Sequence, residues 1–151
     1  MVFSLLSCRR LIVVCAVLLV AVALVVTVGV IPLVRSDTSP GATPESAVPA
    51  FWVAVALHLL VAVMLVFTAV RSRGRGRIPV PGLVVMGIAA LLFGIALADA
   101  AFAYRSHGPS MSTVSVFLFI CVAADSLAGA MTIATAFPLR KRTQEDLTGT
   151  C

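Results

Sequence analysis

The sequence predicts an all-α, polytopic membrane protein. Residues 1–151 are read as one four-transmembrane-helix bundle with both termini cytoplasmic. Three observations carry this reading: composition, the lengths of the apolar runs, and the placement of the cations. Of 151 residues, 61% are hydrophobic and 11% charged, and the mean hydropathy is +1.15. A soluble domain has roughly 45–50% apolar and about 25% charged residues. The composition therefore excludes a soluble globular domain, and equally a disordered chain, which needs low hydrophobicity.

The helices follow in order. The first apolar run covers about 11–34 and is broken only by Thr27, Gly29 and Pro32. Its core of about 20 residues exceeds the roughly 7–15 of a secretory h-region, so it reads as an uncleaved signal-anchor helix. A Ser-, Thr-, Pro- and Gly-rich outer loop, Ser36–Ala50, is too short for a folded ectodomain. The second run, 51–70, starts with the interfacial pair Phe51-Trp52 after Pro49 and contains His58. Pro79 and Pro81 open the third run, 82–104, where a missing N–H costs little, and Asp99 interrupts it. Gly108-Pro109 marks a turn before the fourth run, 113–137, which contains Asp125 and is closed by Pro138. Residues 138–151 form a short cytoplasmic tail. About 20 residues at 1.5 Å each span the hydrocarbon core. The runs lack the alternation of a barrel strand, which leaves helices as the one way to satisfy their backbone in lipid.

Orientation comes from the cations. Arg9 and Arg10 precede the first run, Arg71, Arg73, Arg75 and Arg77 fill the loop between the second and third, and Arg140, Lys141 and Arg142 follow the fourth. With an even number of spans these nine of the eleven positive residues share one side, against Arg35 and Arg105 on the other. The positive-inside rule makes that side cytoplasmic. The same cations can touch anionic headgroups. The 71–77 segment has no aromatic for base stacking, so no nucleic-acid partner is expected.

Three ionisable residues fall inside the spans: His58, Asp99 and Asp125. Such groups are expensive in lipid and mark either function or interhelical glue. Asp99 lies about five residues from the outer end of its run, roughly 8 Å deep at 1.5 Å per residue, within reach of water. Asp125 is near the midplane. His58, seven residues into its run, is at intermediate depth, and a His58–Asp125 hydrogen bond is possible if their helices touch. Small residues recur on the third helix at Gly87, Ala90, Gly94 and Ala98, and on the fourth at Gly129, sharing a face with Asp125. Such stripes let backbones approach, within the bundle or against a partner.

Cys8, beside Arg9-Arg10 at the membrane edge, is a candidate for S-palmitoylation. Cys151 is the last residue, which does not fit a prenylation signal. No H-E-x-x-H, C-x-x-C, G-x-S-x-G or Walker pattern is present, and His107 has no His or Cys neighbour in the outer loop. No catalytic residue, metal site or cofactor is expected.

The segments Gly82-Leu-Val-Val-Met-Gly87, Val116-Phe-Leu-Phe-Ile-Cys121 and Phe137-Pro-Leu-Arg-Lys-Arg142 resemble the transmembrane protein 107 family, ciliary transition-zone proteins of MARVEL-like layout. The resemblance covers the C-terminal half. It implies a non-enzymatic scaffold at the ciliary base and carries over no catalytic residue. The expected function is a membrane scaffold or accessory subunit that contacts lipid and other integral membrane proteins, with homo-oligomers possible. The competing expectation is a small proton- or ion-coupled transporter or channel using Asp125 and His58.

Overall fold

The computed structural model describes residues 5–36, 44–75, 80–105 and 109–148. Within these, residues 5–7, 44–46, 72–75, 109–111 and 138–148 are described by backbone alone. Arg77, Pro79, His107, Gly108 and Cys151 lie outside the described residues. The elements are α1 (Leu5–Val25), a π-helical turn (Val26–Val30), α2 (Ile31–Arg35), α3 (Pro44–Arg75), α4 (Val80–Arg105) and α5 (Pro109–Thr148). Among the described residues four stretches are long and apolar enough to cross a membrane: Cys8–Arg35, Ala47–Arg71, Val80–Arg105 and Ser112–Phe137. They match the four apolar runs. Their outward faces carry large aliphatic and aromatic side chains, such as Val17, Val63, Ile95 and Phe102, as lipid contact requires.

Most helices run past the expected ends: α1 begins at Leu5 rather than about 11, α5 at Pro109 rather than 113, and three further ends differ. α3 begins at Pro44 rather than after Pro49, so the connection expected over 36–50 is shorter than predicted. Pro49 sits five residues inside, where its missing N–H forfeits one bond, to the Glu45 carbonyl, close to the unpaired first turn. α3 also continues through Arg71, Arg73 and Arg75, so most of the expected basic loop is the helix's last turns. Cations there complement the partial negative charge of a helix C-terminus. Pro138 does not close the fourth helix, and α5 runs on to Thr148. Its ring removes one bond, to the Ala134 carbonyl, while Leu139, Arg140, Lys141, Arg142, Gln144 and Glu145 are good helix formers.

The first span bends its register at the π turn. Buried positions step through Cys8, Ile12, Cys15, Leu19, Val22 and Val26 at intervals of four and three, a coiled-coil spacing. Beyond Val26 they step by four, to Val30 and Val34. The Ile31 N–H reaches back five residues to the Val26 carbonyl. Pro32 supplies the reason. It has no N–H for the Val28 carbonyl, and its ring would clash with that carbonyl in a regular α turn. The wider turn makes room and rotates Val30 and Val34 inward.

The first span packs on α3 and on α5, and α4 packs mainly on α5. Contact between α3 and α4 is slight, and among the described residues neither α3 with α5 nor α1 with α4 meets backbone to backbone. The bundle is thus a square in which α3 and α5 occupy one diagonal. Its interior holds two apolar clusters. One joins Val22–Val34 residues to Phe51, Val55, Leu97, Ala101 and Leu118. The other joins Cys8, Ile12 and Leu19 to Ala62, Leu65, Leu83, Ala90 and Ala128. This pairing of early α1 with late α3 shows the two helices to be antiparallel.

The α4–α5 contact is the tightest. α4 buries Leu83, Gly87, Ala90, Gly94, Leu97 and Ala101, again at steps of four and three. Gly87 and Gly129 face each other. A Cβ on Gly129 would lie 2.8 Å from the Gly87 carbonyl oxygen, and one on Gly87 would lie 2.6 Å from Ile133 Cγ1. Ser115 Oγ donates to the Ala101 carbonyl across the same seam at 2.9 Å. Gly87, Ala90, Gly94 and Gly129 therefore serve internal packing. Ala98 does not join them and is only half-buried. A seam that alternates three and four passes through Leu97 and Ala101 instead. With this face enclosed, a partner cannot dock through Ala90 and Gly94.

Candidate functional site

Between the two apolar clusters lies a polar layer made by His58 and Asp125. His58 is eleven residues in from Ala47 and thirteen short of Arg71, and Asp125 is thirteen in from Ser112 and twelve short of Phe137. Both therefore stand at mid-length of their spans. The intermediate depth expected for His58 is corrected by the earlier start of α3. His58 is 1% exposed and Asp125 0%.

The bond crosses the diagonal of the bundle, where no backbone contact exists. His58 Nε2 and Asp125 Oδ2 are 3.0 Å apart, and His58 Nδ1 is 2.6 Å from the Ala54 carbonyl oxygen. Two features of α4 make room for this. Gly94 presents no side chain, and a Cβ there would already stand 3.4 Å from Asp125 Cβ. Phe93 flanks the imidazole with ring centroids 4.9 Å apart.

The geometry limits how the proton can be shared. A carbonyl oxygen only accepts, so Nδ1 carries a hydrogen and donates to Ala54. Nε2 then either donates to an ionised carboxylate or accepts from a protonated one. In both arrangements one proton lies between the two side chains and the pair is neutral. Removing that proton would face two lone pairs at 3.0 Å and leave a bare charge in an apolar layer. Asp125 Oδ1 is buried and has no hydrogen-bond partner among the described residues.

The buried threonines are satisfied locally. Thr68 donates to Met64 at 2.8 Å, Thr132 to Ala128 at 2.7 Å and Thr135 to Thr132 at 2.7 Å. These bonds end on carbonyls of their own helices and do not extend the polar layer. Asp99 is exposed on α4 near Arg105 and does not join His58 and Asp125. At the same end Phe51 stacks on Tyr104 with centroids 6.1 Å apart, and Trp52 lies exposed. Of the pair expected at the interface, Phe51 is thus buried in the bundle and Trp52 alone faces outward.

Cys8 is placed differently from expectation. It is 2% exposed and packs with Ile12 and Cys15 on the inward stripe of α1. The neighbouring arginines suggested an edge position, but a helix turns 100° per residue, so Cys8 and Arg10 point apart. Cys8 is not presented to an acyltransferase. Acyl-exchange labelling of the folded protein in membranes is expected to leave Cys8 unmodified, and a palmitate released by hydroxylamine and lost in Cys8→Ser would contradict this.

One feature gave no sequence signal. A groove of about 540 Å³ runs between α1 and α3 on the outer face. Its floor is Ala16 and Ala62, which are small and buried, and its walls include Val13, Val17, Val63 and Phe67. Finding it requires knowing that these two helices pack side by side. Comparison of the chain with known protein families, curated proteins and solved structures finds no match.

Proposed function

We propose that the chain is a non-catalytic integral membrane protein, a scaffold or accessory subunit that acts by lateral contacts with lipid and membrane partners. The observation that carries this reading is the division of its surfaces. The mid-span ionisable side chains turn inward and bond to each other, while the groove between α1 and α3 opens sideways. Lateral contact runs through that side and not through the enclosed α4–α5 seam. Both termini face the cytoplasm in this reading, because Arg9, Arg10, Arg71 and the 140–142 run lie at one end of the bundle. The resemblance in the C-terminal half suggests the ciliary or flagellar transition zone as its place. Proximity labelling around a C-terminally tagged copy in its own cell tests both. A constant set of membrane neighbours at the ciliary base is expected. A diffuse signal without recurrent neighbours would remove the scaffold reading.

A second reading rests on one atom. The unpartnered Oδ1 of Asp125, beside a proton-sharing imidazole, is what a proton- or ion-coupled transporter would use. Asp125→Asn separates the two. An amide can still hydrogen-bond to His58, so a scaffold keeps its neighbours, whereas proton coupling cannot survive the loss of a titrating group. Retained interactions and no change in pH-dependent flux are expected. A flux that disappears in well-folded Asp125→Asn would establish the transporter.

A further inference from the structure

We propose that the groove between α1 and α3 is a binding site for one anionic phospholipid, with an acyl chain along the groove and the phosphate on Arg10 and Arg71. This goes beyond the scaffold reading and holds equally for a transporter.

Length is the first argument. On α3 the groove extends from Leu59 to Val70. Eleven residues at 1.5 Å make about 16 Å, which is half of the roughly 30 Å hydrocarbon core. Leu59 adjoins His58, which stands at mid-length of its span. The groove thus runs from one membrane surface to the midplane, the depth of one leaflet.

Shape and lining are the second. Ala16 and Ala62 are 2% and 3% exposed and form a floor between raised walls, with Val17 62% and Val63 63% exposed. The lining residues are all Ala, Val, Leu or Phe. A flexible chain fills such a trough without leaving a polar atom unpaired.

Charge at the mouth is the third. The groove stripe on α1, through Val13 and Val17, continues three residues before Val13 to Arg10, which is exposed. On α3, the Arg71 guanidinium lies 5.9 Å from the centroid of the Phe67 ring, itself a groove wall. Because the helices are antiparallel, both arginines stand at the surface end of the groove. Arginine pairs with phosphate through two parallel N–H bonds. The opposite, midplane end carries no cation among its lining residues, so the site has a defined polarity: headgroup at Arg10 and Arg71, chain toward His58.

The test uses the full chain in nanodiscs, with Val63→Trp on a Trp52→Phe background as the only indole. Position 63 is outward-facing and tolerates the ring. Quenching by brominated phosphatidylglycerol is compared with quenching by brominated phosphatidylcholine. A preference for the anionic lipid is expected, with each arginine adding about fivefold. Arg10→Gln and Arg71→Gln each lower it by that factor, and together they abolish it. Val17→Trp on the facing wall should report the same preference. Leu92→Trp, on the outward side of α4, should report none. Equal quenching by the two lipids overturns the proposal. So does an equal preference at position 92, which is general enrichment around the bundle. Absence of quenching at 63 and 17 also overturns it, since a protein surface then covers the groove. A protein-covered groove would overturn the lipid site while favouring the scaffold reading, which proximity labelling tests independently.

Discussion

His58→Leu is expected to destabilise the bundle by about 3–5 kcal/mol, the cost of leaving one member of a buried pair without its partner. Asp125 would then have both oxygens unbonded at mid-span, on a helix face packed against Gly94. Asp125→Ala should cost less, about 1–3 kcal/mol. His58 keeps its bond to the Ala54 carbonyl, and only Nε2 loses its partner. The double variant His58→Leu/Asp125→Ala is expected to be more stable than His58→Leu alone, since no polar atom is stranded. Reversible unfolding in mixed micelles measures all three. A double variant worse than either single one would show that the two residues act independently.

Gly129→Ala is the second large effect. Its new methyl group would meet the Gly87 carbonyl oxygen at 2.8 Å and Leu91 Cγ at 2.8 Å. Backbone oxygen does not move aside, so α4 and α5 must separate along their tightest contact. A loss of about 1–3 kcal/mol, or more, follows from overpacking of this kind. Gly87→Ala should also destabilise, because its new methyl group would meet Ile133 Cγ1 at 2.6 Å and the Gly129 oxygen at 3.0 Å, and a β-branched side chain on a helix is stiff at χ1. Gly82→Ala is the control. Nothing lies within 4 Å of its new Cβ, and it should gain up to about 1 kcal/mol from helix propensity. Thermal unfolding in detergent ranks the three. Equal losses at Gly82 and Gly129 would show that chain flexibility, and not the helix crossing, sets the effect.

The spans were legible because their signal is local: about twenty apolar residues are enough, whatever they pack against. Their ends were less so. Pro49 and Pro138 read as boundaries, yet each costs only one hydrogen bond near a helix end, and the chain continues through both. That misreading of Pro49 also displaced His58 from the midplane. Gly87, Ala90 and Gly94 were legible as a packing stripe, but a constant step of four led to Ala98, whereas a supercoiled seam alternates steps and reaches Leu97 and Ala101. The His58–Asp125 bond was visible as a possibility only. It depends on side chains meeting across a diagonal between helices whose backbones stay apart. Cys8 and the groove show the general reason for the remainder. Both are properties of which faces are covered, and covering is decided by neighbours distant in the chain.

The shared proton of the mid-span pair has an electrical consequence. A unit charge carried across a whole membrane gains about 2.3 kcal/mol per 100 mV, and a charge halfway across about half of that. With one proton shared, the His58–Asp125 pair carries no net charge for a membrane voltage to act on. The bundle can hold an acid and a base at its centre while remaining electrically silent. Were the proton to leave, the remaining carboxylate would couple the bundle's stability to the potential, by roughly 1 kcal/mol for each 100 mV. In a bilayer, the imidazole at residue 58 would thus keep the mid-span carboxylate from responding to voltage.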